Sequence, residues 1–161
     1  LKKEGITYKG FLFIGIMDVN GSPKVIEYNV RMGDPETEVV IPRIKSDFLN
    51  LLKGIGDDTF SEKDLNITEE IATTVMLVSE GYPENYEKGK LVYGLENIQN
   101  SYAFHAGTVK KENQILTNGG RVISLTSFGR TIDEALKKSY ESANTVSFEG
   151  KYYRKDIGFD L

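Results

Sequence analysis

Glu27-Tyr28-Asn29-Val30-Arg31-Met32-Gly33-Asp34-Pro35-Glu36 is the run from which the rest of this chain can be read. It closes a hydrophobic hairpin over residues 11–27 that turns at Asn20-Gly21, two residues that tolerate positive φ. Glu27 and Asn29 are two apart, so an extended backbone points both to one face and Tyr28 to the other. Two oxygen donors about 7 Å apart along a strand suit a hard cation that keeps several other ligands, such as magnesium on substrate phosphates. Arg31 adds a planar cationic fork for a carboxylate or phosphate. Gly33-Asp34-Pro35-Glu36 reads as a tight acidic turn that ends the strand.

Arg31-Met32-Gly33-Asp34-Pro35-Glu36-Thr37-Glu38 resembles the signature of the phosphoribosylamine–glycine ligases, also called glycinamide ribonucleotide synthetases, of the ATP-grasp superfamily. The likeness continues in order along the chain. Tyr8-Lys9-Gly10-Phe11-Leu12 and Gly15-Ile16-Met17 resemble the strand before the signature, and Val25-Ile26-Glu27-Tyr28-Asn29 resembles the metal-ligand strand. Val40-Ile41-Pro42-Arg43-Ile44-Lys45-Ser46-Asp47 resembles the segment after it. Glu80-Gly81-Tyr82-Pro83, Phe104-His105-Ala106-Gly107-Thr108 and Thr117-Asn118-Gly119-Gly120-Arg121-Val122 resemble landmarks of the family's C-terminal domain. Met32 and Tyr28 stand where the family more often has Phe, and neither supplies chemistry.

The resemblance implies an α+β fold with the C-terminal half of an ATP-grasp domain over residues 1–66. A small, mostly antiparallel β-rich domain with one helix would follow over residues 67–161. It implies a reaction in which ATP, glycine and 5-phosphoribosylamine give glycinamide ribonucleotide, ADP and phosphate through a glycyl phosphate, a step of purine biosynthesis. Glu27 and Asn29 would hold Mg2+ (or Mn2+) and, through it, the ATP phosphates. Arg31 would be the catalytic cation, with Arg31, Asp34, Pro35 and Glu36 touching substrate. The adenine-binding half of the family's ATP-grasp unit and its N-terminal domain have no counterpart in this sequence, so the chain looks like the C-terminal portion of a longer enzyme. The isolated chain is expected not to turn over without its missing N-terminal half.

Composition narrows the remaining classes. With 161 residues the chain can build one domain or two small lobes, and a hydrophobic content of 39% suffices for a core. The absence of cysteine removes disulfides and thiolate metal sites. A formal net charge of −4 argues against broad nucleic-acid binding, which needs a basic footprint. No apolar run reaches membrane-spanning length and no secretory leader is visible, so a cytoplasmic location is the expectation.

Periodicity places the elements. Phe11-Leu12-Phe13-Ile14-Gly15-Ile16-Met17 is nearly continuous in apolar character, which predicts a strand buried on both faces. A short helix is expected from residue 36, interrupted near Pro42, and a second over 47–53 ending at Gly54. The polar stretch 54–69 carries the lobe boundary. Strands are expected over 71–78, 101–104, 107–111, 122–127 and 146–148, with a loop over 81–89. Thr131-Ile132-Asp133-Glu134 is a capping box opening a helix whose apolar face comprises Ile132, Ala135, Leu136, Tyr140 and Ala143.

Each marked residue also has a plainer reading. Glu27 and Asn29 could be the exposed face of an edge strand, and Arg31 could pair with Asp34 or Glu36 at little gain. Asp34 and Glu36 could favour the helix that follows, where acids suit the dipole. His105, the single histidine, reads as a hydrogen-bonded structural residue. Asn118-Gly119-Gly120-Arg121 reads as a hairpin turn, and the roles of His105 and Arg121 stay open. Tyr152-Tyr153-Arg154 reads as packing of a terminal strand, and the acidic stretch 57–64 as a solvated loop. Two alternatives remain beside the resemblance: another ATP-grasp carboxylate–amine ligase or carboxylase subunit, or a non-catalytic structural or binding module.

Overall fold

The computed structural model describes residues 1–159. The chain divides into two compact units, Leu1–Thr68 and Glu69–Leu161.

In the first unit β1 (Phe13–Val19) and β2 (Ser22–Asn29) form an antiparallel ribbon. Its turn is the expected Asn20-Gly21, with both residues at positive φ, 54° and 78°. The ribbon is not the doubly buried element that its composition suggests. Ile14, Ile16 and Met17 are exposed, Ile16 by 61%. The physical reason is that a two-stranded ribbon covers neither of its own faces. Leu51 is the sole buried apolar side chain of this unit among the described residues.

Two helices follow. α1 (Thr37–Arg43) runs through Pro42 instead of breaking there. A proline so close to the end forfeits little, because the Ile44 N–H already turns back to the Ile41 carbonyl at 3.0 Å and closes the helix. α2 (Phe48–Gly56) is capped by Asp47, whose carboxylate accepts from the Asn50 N–H at 2.8 Å. It continues past Gly54, the predicted stop, because the backbone of Phe60 packs on that glycine and Asp57 N–H caps Lys53 at 2.9 Å. A bridge between Ile44 and Ile67 ties the polar stretch back onto the helices.

The second unit contains β3 (Ile71–Ser79), β4 (Ser101–His105), β5 (Thr108–Lys111), β6 (Gln114–Thr117), β7 (Arg121–Gly129), α3 (Ile132–Thr145) and β8 (Lys151–Tyr152). The sheet order is β4-β7-β3-β8, every pairing antiparallel, with β5 and β6 as a separate hairpin. The core is Val75, Leu77, Val92, Val122, Ile123, Leu125, Ala143, Val146 and Phe148. No strand forms over 146–148: Val146 caps α3, and Ser147 makes an isolated bridge to Tyr93.

α3 begins as its sequence dictates, with Thr131 accepting from the Glu134 N–H at 3.2 Å. The Glu134 carboxylate reaches back one residue further, to the Arg130 N–H at 2.8 Å. The buried face differs from the apolar stripe. It consists of Ala135, Ser139, Ser142 and Ala143, small residues that let the helix lie close on the sheet. Hydroxyls are satisfied across this seam: Ser139 with Thr73 at 3.0 Å, and Ser101 with both Ser127 and Ser142 at 2.6 Å. No helix of the described residues is long and apolar enough to cross a membrane.

Candidate functional site

The ribbon register places the donor pair. Phe13 pairs with Asn29 and Gly15 with Glu27, so these four residues share one face. Between Gly15 and Ile16 the register slips by one, leaving Ile26 as the extra residue of a β-bulge. Past the bulge, Ile16 pairs with Val25, on the face opposite to Gly15. The slip therefore sorts the ribbon. One face carries Glu27 and Asn29, with exposed Met17 and Val19 further along it, while the other carries exposed Ile14, Ile16, Val25 and Tyr28.

Glu27 is exposed and its side chain lies across Gly15. A β-carbon built on Gly15 would fall 2.9 Å from Glu27 Cγ and 3.7 Å from its Oε1. Asn29 is half-buried, and its Nδ2 is buried with no hydrogen-bond partner among the described residues. Its Oδ1 accepts from Arg31 Nη2 at 3.3 Å, and Arg31 Nη1 donates to the Met32 carbonyl at 2.9 Å. Arg31 is thus folded back along the strand end, with its guanidinium held beside the asparagine.

The signature turn packs against the same ribbon end. Gly33 is buried, and a β-carbon there would fall 2.8 Å from Phe13 Cε2 and 2.4 Å from Glu36 Oε2. Glu36 occupies the cap position of α1 but makes no capping hydrogen bond with its side chain. The helix start is instead tied by Thr37, whose hydroxyl and N–H both donate to the Gly33 carbonyl. The Asp34–Pro35 bond is cis, and both residues stand at the turn surface. Phe11, Leu12, Phe13, Met32, Gly33, Glu36, Thr37 and Val40 surround an open, largely apolar cavity of about 310 Å3.

A divalent hard cation fits the donor chemistry. Glu27 and Asn29 present a carboxylate and a carboxamide oxygen on one face, which suits an ion that keeps water and phosphate oxygens as its other ligands. Among the described residues no group of three or more His, Cys, Asp or Glu is placed to hold a metal by itself. Any ion here would need further ligands beyond Glu27 and Asn29.

In the second unit three sequence landmarks meet at one end of the sheet, where β3 and β4 finish and β7 begins. Asn118-Gly119-Gly120-Arg121 is not a hairpin turn, because β6 and β7 belong to different sheets. Gly119 lies backbone to backbone on Gly107, and Gly120 lies under the Tyr82 ring. The Ser79 hydroxyl donates to the Gly119 carbonyl at 3.0 Å. His105 is exposed, with Nδ1 2.9 Å from the Thr108 hydroxyl. Tyr153 packs on Tyr140, Lys151 lies 5.5 Å from the Tyr153 ring, and Arg154 pairs with Asp156 at 2.9 Å.

Sequence reasoning missed Phe13 and Gly15 as neighbours of the donor pair. Counting residues from the Asn20-Gly21 turn sets Glu27 opposite Ile14; the bulge moves it opposite Gly15.

Residues 72–160 match the family model for the phosphoribosylglycinamide synthetase C domain, and residues 1–37 match that for the phosphoribosylglycinamide synthetase ATP-grasp (A) domain. A phosphoribosylamine–glycine ligase from Caldanaerobacter subterraneus subsp. tengcongensis is 42% identical over 98% of this chain and 38% of its own length. One from Halalkalibacterium halodurans is 43% identical over 98% of this chain and 37% of its own length. The crystal structure of phosphoribosylamine–glycine ligase from Thermotoga maritima superposes with a TM-score of 0.84 at 41% identity, covering 96% of this chain and 38% of that one. The chain thus spans about 38% of the length of such relatives. With a family model matched over more than half its residues and a solved relative sharing its fold, this chain belongs to the phosphoribosylglycinamide synthetase family.

Proposed function

We propose that the chain supplies the C-terminal portion of an ATP-dependent ligase that joins glycine to 5-phosphoribosylamine, giving glycinamide ribonucleotide, ADP and phosphate. Residues 1–66 act as the C-terminal part of the ATP-grasp domain and residues 67–161 as the C-terminal domain of the enzyme. The observation that carries this reading is the shared face of Glu27 and Asn29 with Arg31 beside them, immediately before the signature turn.

Glu27 and Asn29 would hold Mg2+ (or Mn2+). The ion, when bound, neutralises phosphate charge and polarises the group being transferred. Arg31 steadies the anionic glycyl phosphate, or the glycine carboxylate from which it forms, by charge-assisted hydrogen bonds. Arg31 Nη2 donates to Asn29 Oδ1, a carboxamide oxygen whose second lone pair would remain for the ion. Asp34, Pro35 and Glu36 contact the amine substrate. No covalent enzyme intermediate is needed, so the protein's work is positioning and charge neutralisation. The exposed apolar face of the ribbon suits cover by the rest of a larger ligase. A cytoplasmic location goes with this reading.

Glu27→Ala in the ligase is expected to abolish glycine-dependent ADP release while leaving unfolding free energy within about 1 kcal/mol, as for a surface substitution. Normal magnesium-dependent turnover in that variant would refute the assignment. Mixing this chain with a separately produced N-terminal portion distinguishes the ligase from a non-catalytic module. Restored activity supports the ligase, and a folded but silent complex supports the module.

A further inference from the structure

The metal reading leaves open how an exposed, flexible glutamate is aimed. A Glu side chain loses rotamer freedom when held, so something must restrict it. In this ribbon the restriction comes from the partner strand. Gly15 is paired directly with Glu27, and the space where its side chain would stand is occupied by Glu27 Cγ. The Phe13 ring walls the same space, with Cε1 3.7 Å from the β-carbon position of residue 15, and its other edge lies against Gly33. Phe13 therefore separates two slots, one taken by Glu27 over Gly15 and one by Glu36 over Gly33.

Gly15 is not at positive φ, so its backbone does not require glycine. What requires it is space. The atom a methyl group would meet is the middle of the Glu27 side chain, 2.9 Å away, not its mobile tip. Alanine here must displace Glu27 Cγ, and with it the carboxylate, from its place over Gly15.

We propose that Gly15, with the Phe13 ring as its wall, is a positioning residue that aims the Glu27 carboxylate alongside Asn29. The proposal rests on the metal reading of Glu27 and Asn29. Its reach is wider than one contact, because the bulge at Ile26 is what brings Gly15 opposite Glu27. The bulge and the glycine act together: one selects the face, the other clears the slot.

The test is a Mn2+ titration of the whole ligase at saturating ADP, with the bound ion read by EPR, alongside unfolding midpoints. Gly15→Ala is expected to weaken Mn2+ by about 10-fold or more, the scale seen when a residue supporting a metal ligand is removed. Its unfolding midpoint should equal or exceed that of the parent, since alanine restricts the unfolded chain. The loss should persist in an Asn29→Ala background and vanish in a Glu27→Ala background, because the effect passes through Glu27. If Gly15→Ala binds Mn2+ like the parent while Glu27→Ala does not, the positioning role is overturned and the metal reading stands. If Glu27→Ala itself binds Mn2+ normally, both fall. A Gly15→Ala loss that comes with a lowered midpoint and survives in the Glu27→Ala background is damage to the fold, and overturns the proposal.

Discussion

Replacing Lys151 by methionine tests the packing of the second unit most directly. Lys151 leaves the short strand β8 and returns its ammonium to the end of α3, where it donates to the Ala143 carbonyl at 2.8 Å and the Val146 carbonyl at 2.6 Å. It also lies 5.5 Å from the Tyr153 ring centre. Two hydrogen bonds from a charged donor contribute about 3 kcal/mol at the low end of their range, and the helix dipole adds roughly 0.5 kcal/mol. Holding the lysine stem costs about 1–2 kcal/mol of side-chain entropy. Lys151→Met keeps the stem length and removes both hydrogen bonds, but it also removes the cost of desolvating the charge, the same burial that lowers the Lys151 pKa, so a net loss of only about 1 kcal/mol is expected. Urea unfolding followed by circular dichroism measures it, and a change below about 0.5 kcal/mol would refute the capping argument. The pH dependence gives a second check. Burial lowers the Lys151 pKa from its ordinary 10.5, so the folded state holds that proton less tightly than the unfolded state. In the window between the lowered value and 10.5 the unfolded chain binds more protons, so the stability of the parent rises with pH there. Lys151→Met should lack that rise.

Thr131→Ala removes the hydroxyl that accepts from the Glu134 N–H and should cost about 1 kcal/mol in the same assay; an unchanged midpoint would show that Glu134 alone secures the helix start. Gly120→Ala would put a methyl group 2.0 Å from Tyr82 Cδ2, so the ring must move at a cost of about 1–3 kcal/mol. In a Tyr82→Ala background that cost should disappear, and its persistence would locate the strain elsewhere.

Much of the local structure follows from neighbouring residues alone. Asn20-Gly21 specifies the ribbon turn because its backbone needs positive φ, and the turn is where the two residues stand. Asp47 and Thr131 specify helix starts because each offers an oxygen to an otherwise unpartnered N–H. The β-branched runs 71–78 and 122–127 specify the two central strands of the second unit. Boundaries and partners were less legible. The serines of α3 look like a solvent face until the sheet supplies hydroxyl partners for them. Residues 146–148 look like a strand, but the one residue among them that makes a bridge, Ser147, does so singly to Tyr93.

The chemical identities at the candidate site were fixed by the chain itself: a carboxylate and a carboxamide at alternate positions, a guanidinium after them, then a glycine-bounded acidic turn. Which groups face one another was not. The slip at Ile26 depends on how two strands settle against each other, and no local preference announces it. A register shift of one residue exchanges the faces of a ribbon, so tertiary structure alone decided that Glu27 lies over Gly15 instead of among the isoleucines.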